Sequence, residues 1–80
     1  MALHFIGIDP ETDGDHCPTV WFDDETRELV VQGWKAGREL MDRCREFGAV
    51  PDGEAVVRIP ARMVHLLRKA CDAAERAALS

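Results

Sequence analysis

The stretch Pro18-Thr19-Val20-Trp21-Phe22-Asp23-Asp24-Glu25-Thr26-Arg27-Glu28-Leu29-Val30-Val31-Gln32-Gly33-Trp34 decides how this chain is read. Two runs rich in β-branched and aromatic residues, Thr19–Phe22 and Leu29–Trp34, flank a polar connector, Asp23–Glu28. Such residues fit a pleated, half-buried surface, and a short polar loop between two such runs predicts a β-hairpin. Alternation sends Val20, Phe22, Leu29 and Val31 toward the core and leaves Trp21 and Trp34 on the opposite face. Two aromatics outside a small core are a candidate contact surface, unless another strand or a second copy of the chain buries them.

Working outward, Leu3-His4-Phe5-Ile6-Gly7-Ile8 reads as a short strand before the hairpin. Asp9 to Cys17, with Pro10, Thr12, Gly14 and four acids, is loop chemistry that ends at Pro18. After the hairpin, Leu40, Met41, Cys44 and Phe47 carry the spacing of one apolar helical stripe, predicting a helix over Lys35–Phe47 closed by Gly48. A turn-rich connector, Ala49–Gly53, leads to a strand over Glu54–Ile59, where Ala55, Val57 and Ile59 alternate with Glu54, Val56 and Arg58. Strand, helix, strand with about twenty connecting residues predicts a right-handed crossover, with the third and fourth strands parallel. Pro60 suits the first turn of a last helix, whose apolar band is Met63, Val64, Leu67, Ala70, Cys71 and Ala74. The expectation is a single domain over residues 1–80: an α+β fold in β-β-β-α-β-α order, with a three- to four-stranded sheet covered by two helices.

Composition narrows the function classes. Eighty residues leave a large share of the surface exposed, so a partner subunit is a live expectation for stability. With 46% hydrophobic and 31% charged residues the chain is neither disordered nor membrane-spanning, and Met1-Ala2-Leu3-His4 lacks a signal peptide's basic and long apolar regions. A cytoplasmic protein is expected, its three cysteines reduced. A net charge of −5 speaks against direct nucleic-acid binding, which is driven by Lys and Arg neutralising phosphates.

Few constellations carry chemistry. Asp9-Pro10-Glu11-Thr12-Asp13-Gly14-Asp15 looks like the first half of a calcium loop, but Val20 stands where the bidentate Glu belongs and Pro10 follows the first ligand. Cys44 and Cys71 fall in helical stripes, where a thiol packs as a small hydrophobe, and Cys17 sits beside His16 at a loop-to-strand junction. No Cys-x-x-Cys or His-x-x-x-His pair gives a zinc bite, so no metal or other cofactor and no catalytic residue is assigned. Arg58, Arg62, His65 and Lys69 form either a basic patch at the start of the last helix or an ordinary solvated face. The two helices are separated by a strand, which is not helix-turn-helix order.

Pro18-Thr19-Val20-Trp21, Leu29-Val30-Val31-Gln32-Gly33-Trp34 and Val57-Arg58-Ile59-Pro60-Ala61-Arg62-Met63 together resemble small acidic actinobacterial proteins encoded beside helix-turn-helix regulators, and more distantly BldB-like developmental regulators. The resemblance covers Pro18 to Ala74 and supplies no site residues. It implies a non-enzymatic regulatory or accessory role as a homodimer, with a helix-turn-helix regulator as a further partner. No membrane partner is expected, since no apolar run is long enough to cross a bilayer. Trp21, Trp34, Arg58 and Arg62 are then the partner-binding candidates, because Trp and Arg anchor interfaces. The alternative is a small metal-dependent or thiol enzyme that uses the Asp9–Cys17 loop.

Overall fold

The hairpin strand β2, Thr19–Asp23, lies between β1, Leu3–Ile8, and β3, Glu28–Gln32, in an antiparallel sheet of order β1-β2-β3. These strands belong to a computed structural model that describes residues 2–11 and 17–79. The chain continues through β4 (Trp34–Lys35), α1 (Arg38–Arg45), β5 (Val57–Arg58), a 3-10 turn (Ala61–Met63) and α2 (Val64–Leu79). The fold is α+β, and the expected β-β-β-α-β-α order is present with its third strand in two pieces.

The hairpin turn is built by its own residues. The Asp23 carboxylate Oδ1 accepts from the backbone N–H of Glu25 (3.0 Å) and Thr26 (3.3 Å), and Arg27 closes the turn in the left-handed region at φ 62°. Register then sets the faces. Phe22 stands opposite His4 and Leu29, while Val20 stands opposite Gly7 and Val31. On this face α2 packs, with Met63, Leu66 and Ala70 closing over Val20, and with Ile6, Ile59 and Leu67 around them. The close approach needs Gly7: a Cβ there would collide with the Leu66 side chain. Leu29 and Val31 share this face, but on the edge strand they stay largely exposed.

Two expectations are corrected. The strand after the long connector does not pair in parallel with the hairpin: β5 runs antiparallel to β4, Trp34 opposite Arg58 and Lys35 opposite Val57, in a separate two-stranded sheet. Gly33 is where the third strand leaves its sheet, and the Arg58 carbonyl comes so close that a Cβ at Gly33 would strike it. A parallel crossover also needs its helix packed on the sheet, whereas α1 has no buried residue. The apolar band of α2 is also turned from the expected one: Leu66 is buried, whereas Val64 and Cys71 are exposed. The 3-10 geometry of residues 61–63 shifts the phase of the face that follows.

Candidate functional site

Residues on the other side of the three-stranded sheet are Phe5, Trp21 and Val30, which stand in one cross-strand row, with Leu3 and Ile8 beyond Phe5 along β1. The register shift between Phe5 and Gly7 brings Ile8 onto this side, since it moves the strand's alternation by one residue. Phe5 is 62% exposed, Ile8 46% and Leu3 45%, and Trp21 and Val30 are half-buried. Among the described residues no helix packs here, because α2 occupies the opposite face and α1 makes no comparable packing with the sheet. An apolar row of this kind is costly to leave in water.

Of the four sequence candidates only Trp34 and Arg58 are brought together. Trp21 belongs to the apolar row. Trp34, expected on the same face, is instead on β4 beyond the Gly33 break, opposite Arg58. Arg58 lines an open groove of about 460 Å³ with Arg38, Arg43 and Leu40 at the start of α1. Arg62 is engaged inside the chain: its Nε donates to Asp9 Oδ1 at 2.8 Å and its Nη2 to Asp9 Oδ2 at 2.6 Å, and Glu11 Oε2 lies 3.2 Å from Nε. The Asp9 hydrogen bonds hold the Arg62 pKa above its ordinary value. Asp9 itself is buried and its N–H donates to the Pro18 carbonyl, so the fork clamps the loop after β1 to the entry of α2.

The loop considered for cation or thiol chemistry therefore begins with a carboxylate whose two oxygens both accept from Arg62. Residues 12–16, including Asp13, Asp15 and His16, lie outside the described residues. Cys17 is half-buried, and its carbonyl accepts from Thr19 Oγ1 at 2.8 Å and from Gln32 Nε2 at 3.0 Å. Among the described residues no cluster of three or more His, Cys, Asp or Glu side chains is placed to hold a metal ion.

A second open groove, of about 540 Å³, lies between the sheet and the end of α2, lined by His4, Phe22, Asp24 and Arg76. Here His4 Nε2 is 2.6 Å from Asp24 Oδ2, and the imidazole stacks over Phe22 at 6.5 Å. This pair joins β1 to the hairpin turn, as does the bond from the Asp24 N–H to the Ala2 carbonyl.

Two apolar residues were missed as surface features by the sequence reading. Phe5 could be placed on a strand but not opposite Trp21, because register is set by tertiary pairing. Phe47, which the helical spacing puts at the end of the apolar stripe of the first helix, stands 94% exposed just past α1. No family model matches this chain, and no curated protein and no solved structure is significantly similar to it. Among the described residues no helix is long and apolar enough to cross a membrane.

Proposed function

We propose that this chain is a non-enzymatic regulatory or accessory interaction module that works as a homodimer through its open sheet face. The observation that carries the reading is the row Phe5, Trp21, Val30, which is apolar, in register across all three strands and, among the described residues, without a covering helix. A second copy is the occupant favoured by charge. The row and its neighbours Leu3, Ile8, Thr19 and Gln32 are uncharged. The two carboxylates that share the face, Asp23 and Glu28, stand at its hairpin end, Asp23 buried and accepting from the turn's own N–H groups. The centre of the face therefore meets its own copy without repulsion, although the chain carries −5 overall. Interfaces of obligate dimers are apolar in this way.

Light scattering on the eluting protein across a dilution series tests the reading. The wild-type chain is expected to run as a dimer at micromolar concentration, and Phe5→Asp as a folded monomer with unchanged far-UV circular dichroism. A wild-type chain that stays monomeric at every concentration up to about 100 µM overturns the proposal, since affinity weaker than that is no standing dimer.

A further inference from the structure

A second apolar surface is only partly covered among the described residues. Leu40, Met41 and Cys44 form the stripe of α1 and are each half-buried, and Phe47 at its end is 94% exposed. With β4 and β5, α1 makes an arm that leaves the body at Gly33 and returns at Ile59. The arm's reach shows in the overall dimensions, 40 × 31 × 21 Å, and in a radius of gyration of 14.2 Å. A compact chain of this length has a radius of gyration of about 12 Å.

We infer that the occupant of the open sheet face is α1 of the second copy, docked reciprocally, so that each sheet is held between its own α2 and the partner's α1. This inference rests on the homodimer reading and specifies its geometry. It satisfies two-fold symmetry, because α1 of each protomer meets the sheet of the other. Area separates it from the simpler stack of sheet on sheet. Stacking the two faces buries the exposed parts of Leu3, Phe5, Ile8 and their neighbours once on each copy, roughly 700–800 Å² in total, which is the size of an incidental contact. Reciprocal docking adds Phe47 and the α1 stripe at two contacts and brings the total to roughly 1,300 Å². Stable interfaces begin at about 1,200 Å².

Charge agrees with the same arrangement. α1 sets Arg38, Arg43 and Arg45 against Glu39 and Asp42, a charge of +1 that Glu46 at its C-terminal cap brings to zero, in a chain that is acidic overall. Asp24, Glu25 and Glu28 give the hairpin end of the sheet an acidic rim, which the α1 arginines can approach. An amphipathic helix laid on an apolar face is also a recurring mode of recognition.

Site-specific disulfides decide between the arrangements, because a disulfide forms only between residues whose Cα atoms come within about 7 Å. In a background of Cys17→Ser and Cys71→Ser, one variant carries Val30→Cys with Cys44→Ala, and the other keeps Cys44 as its single thiol. The two are mixed, treated with diamide and resolved on a non-reducing gel, while light scattering reports the oligomeric state. A dimer that gives the mixed Cys44 disulfide in preference to either homodisulfide is the expected result. A dimer giving only the Val30→Cys homodisulfide, or no disulfide, overturns reciprocal docking and leaves the homodimer reading standing. A monomer overturns the homodimer reading itself. Phe47→Ala is the second readout: it leaves the unfolding of the dilute monomer unchanged and weakens dimerisation about tenfold or more. Unchanged dimer affinity in Phe47→Ala also overturns the inference.

Discussion

The body of this protein, the β1-β2-β3 sheet under α2, and its arm, β4, α1 and β5, each carry an amphipathic helix and reach different degrees of burial. In the body, Val20, Met63 and Ala70 are completely inaccessible, and Gly7 is needed simply to let Leu66 approach. In the arm, α1 has no fully buried residue, its stripe being half-buried, and a Cβ added at Gly37, Gly48 or Gly53, in the connections around it, would meet no atom within 4 Å. The difference shows that amphipathic patterning specifies a face without specifying what covers it. The body finds its cover within the chain through α2, and the arm is left to find one elsewhere.

The same substitution made in both regions is the sharpest way to break this contrast. Leu66→Ala, in the buried cluster, is expected to cost about 2–5 kcal/mol of unfolding free energy, because it removes transfer energy and leaves a cavity between α2 and β2. Leu40→Ala, on the half-buried stripe of α1, is expected to cost about 1 kcal/mol or less when measured on dilute protein. Urea unfolding of both variants checks the pair. Equal costs would mean that the arm is packed as firmly as the body, and the distinction would fall.

Local pattern was enough to read the hairpin, the first strand and the existence of both helices, since alternation and helical spacing operate within a few residues. Pairing was not legible in the same way. The antiparallel partnership of Trp34 with Arg58 joins residues on either side of a 21-residue connection, Ala36–Val56, and nothing local selects it over a parallel crossover. The candidate site suffered for the same reason. Trp21 was recognised as lying outside the core, but its neighbours Phe5 and Val30 follow from register, and the separation of Trp34 follows from the break at Gly33. Sequence shows Arg62 only as one cation of a basic patch, because its partner Asp9 lies 53 positions away.

The hairpin turn sharpens the comparison from the side of pH, since it belongs to the body and is held by a carboxylate. Burial alone would raise the Asp23 pKa, but the N–H groups of Thr26 and Glu25, donating to it, outweigh that and hold it below its ordinary value of 3.8. A carboxyl group depressed on folding adds stability that is complete well above the unfolded value and is lost as pH falls through the folded one. The wild-type protein is therefore expected to lose this contribution below about pH 4, and Asp23→Ala to be less stable at pH 7 and less sensitive to acid. Urea midpoints of both proteins at pH 7 and pH 3 check it. If Asp23→Ala loses as much between the two pH values as the wild type, the carboxylate is not what holds the turn.

The smallest expected effect concerns backbone strain at the end of that turn. Arg27 has φ 62°, a left-handed conformation that places the Cβ of an L-residue too near the following carbonyl and costs about 1–2 kcal/mol. Glycine adopts it without that penalty but brings a more disordered unfolded chain, which takes back part of the gain. Arg27→Gly is thus expected to stabilise the protein by up to about 1 kcal/mol, read as a shift in the urea midpoint at constant slope. The gain should appear in the body alone. Amide exchange in β2 and β3 is expected to slow while exchange in α1 stays as it is, because strands that pair through the turn share its stability and the arm does not. Equal slowing in both regions would show that arm and body unfold as one cooperative unit, and α1 would then not be a separate element held ready for a second copy.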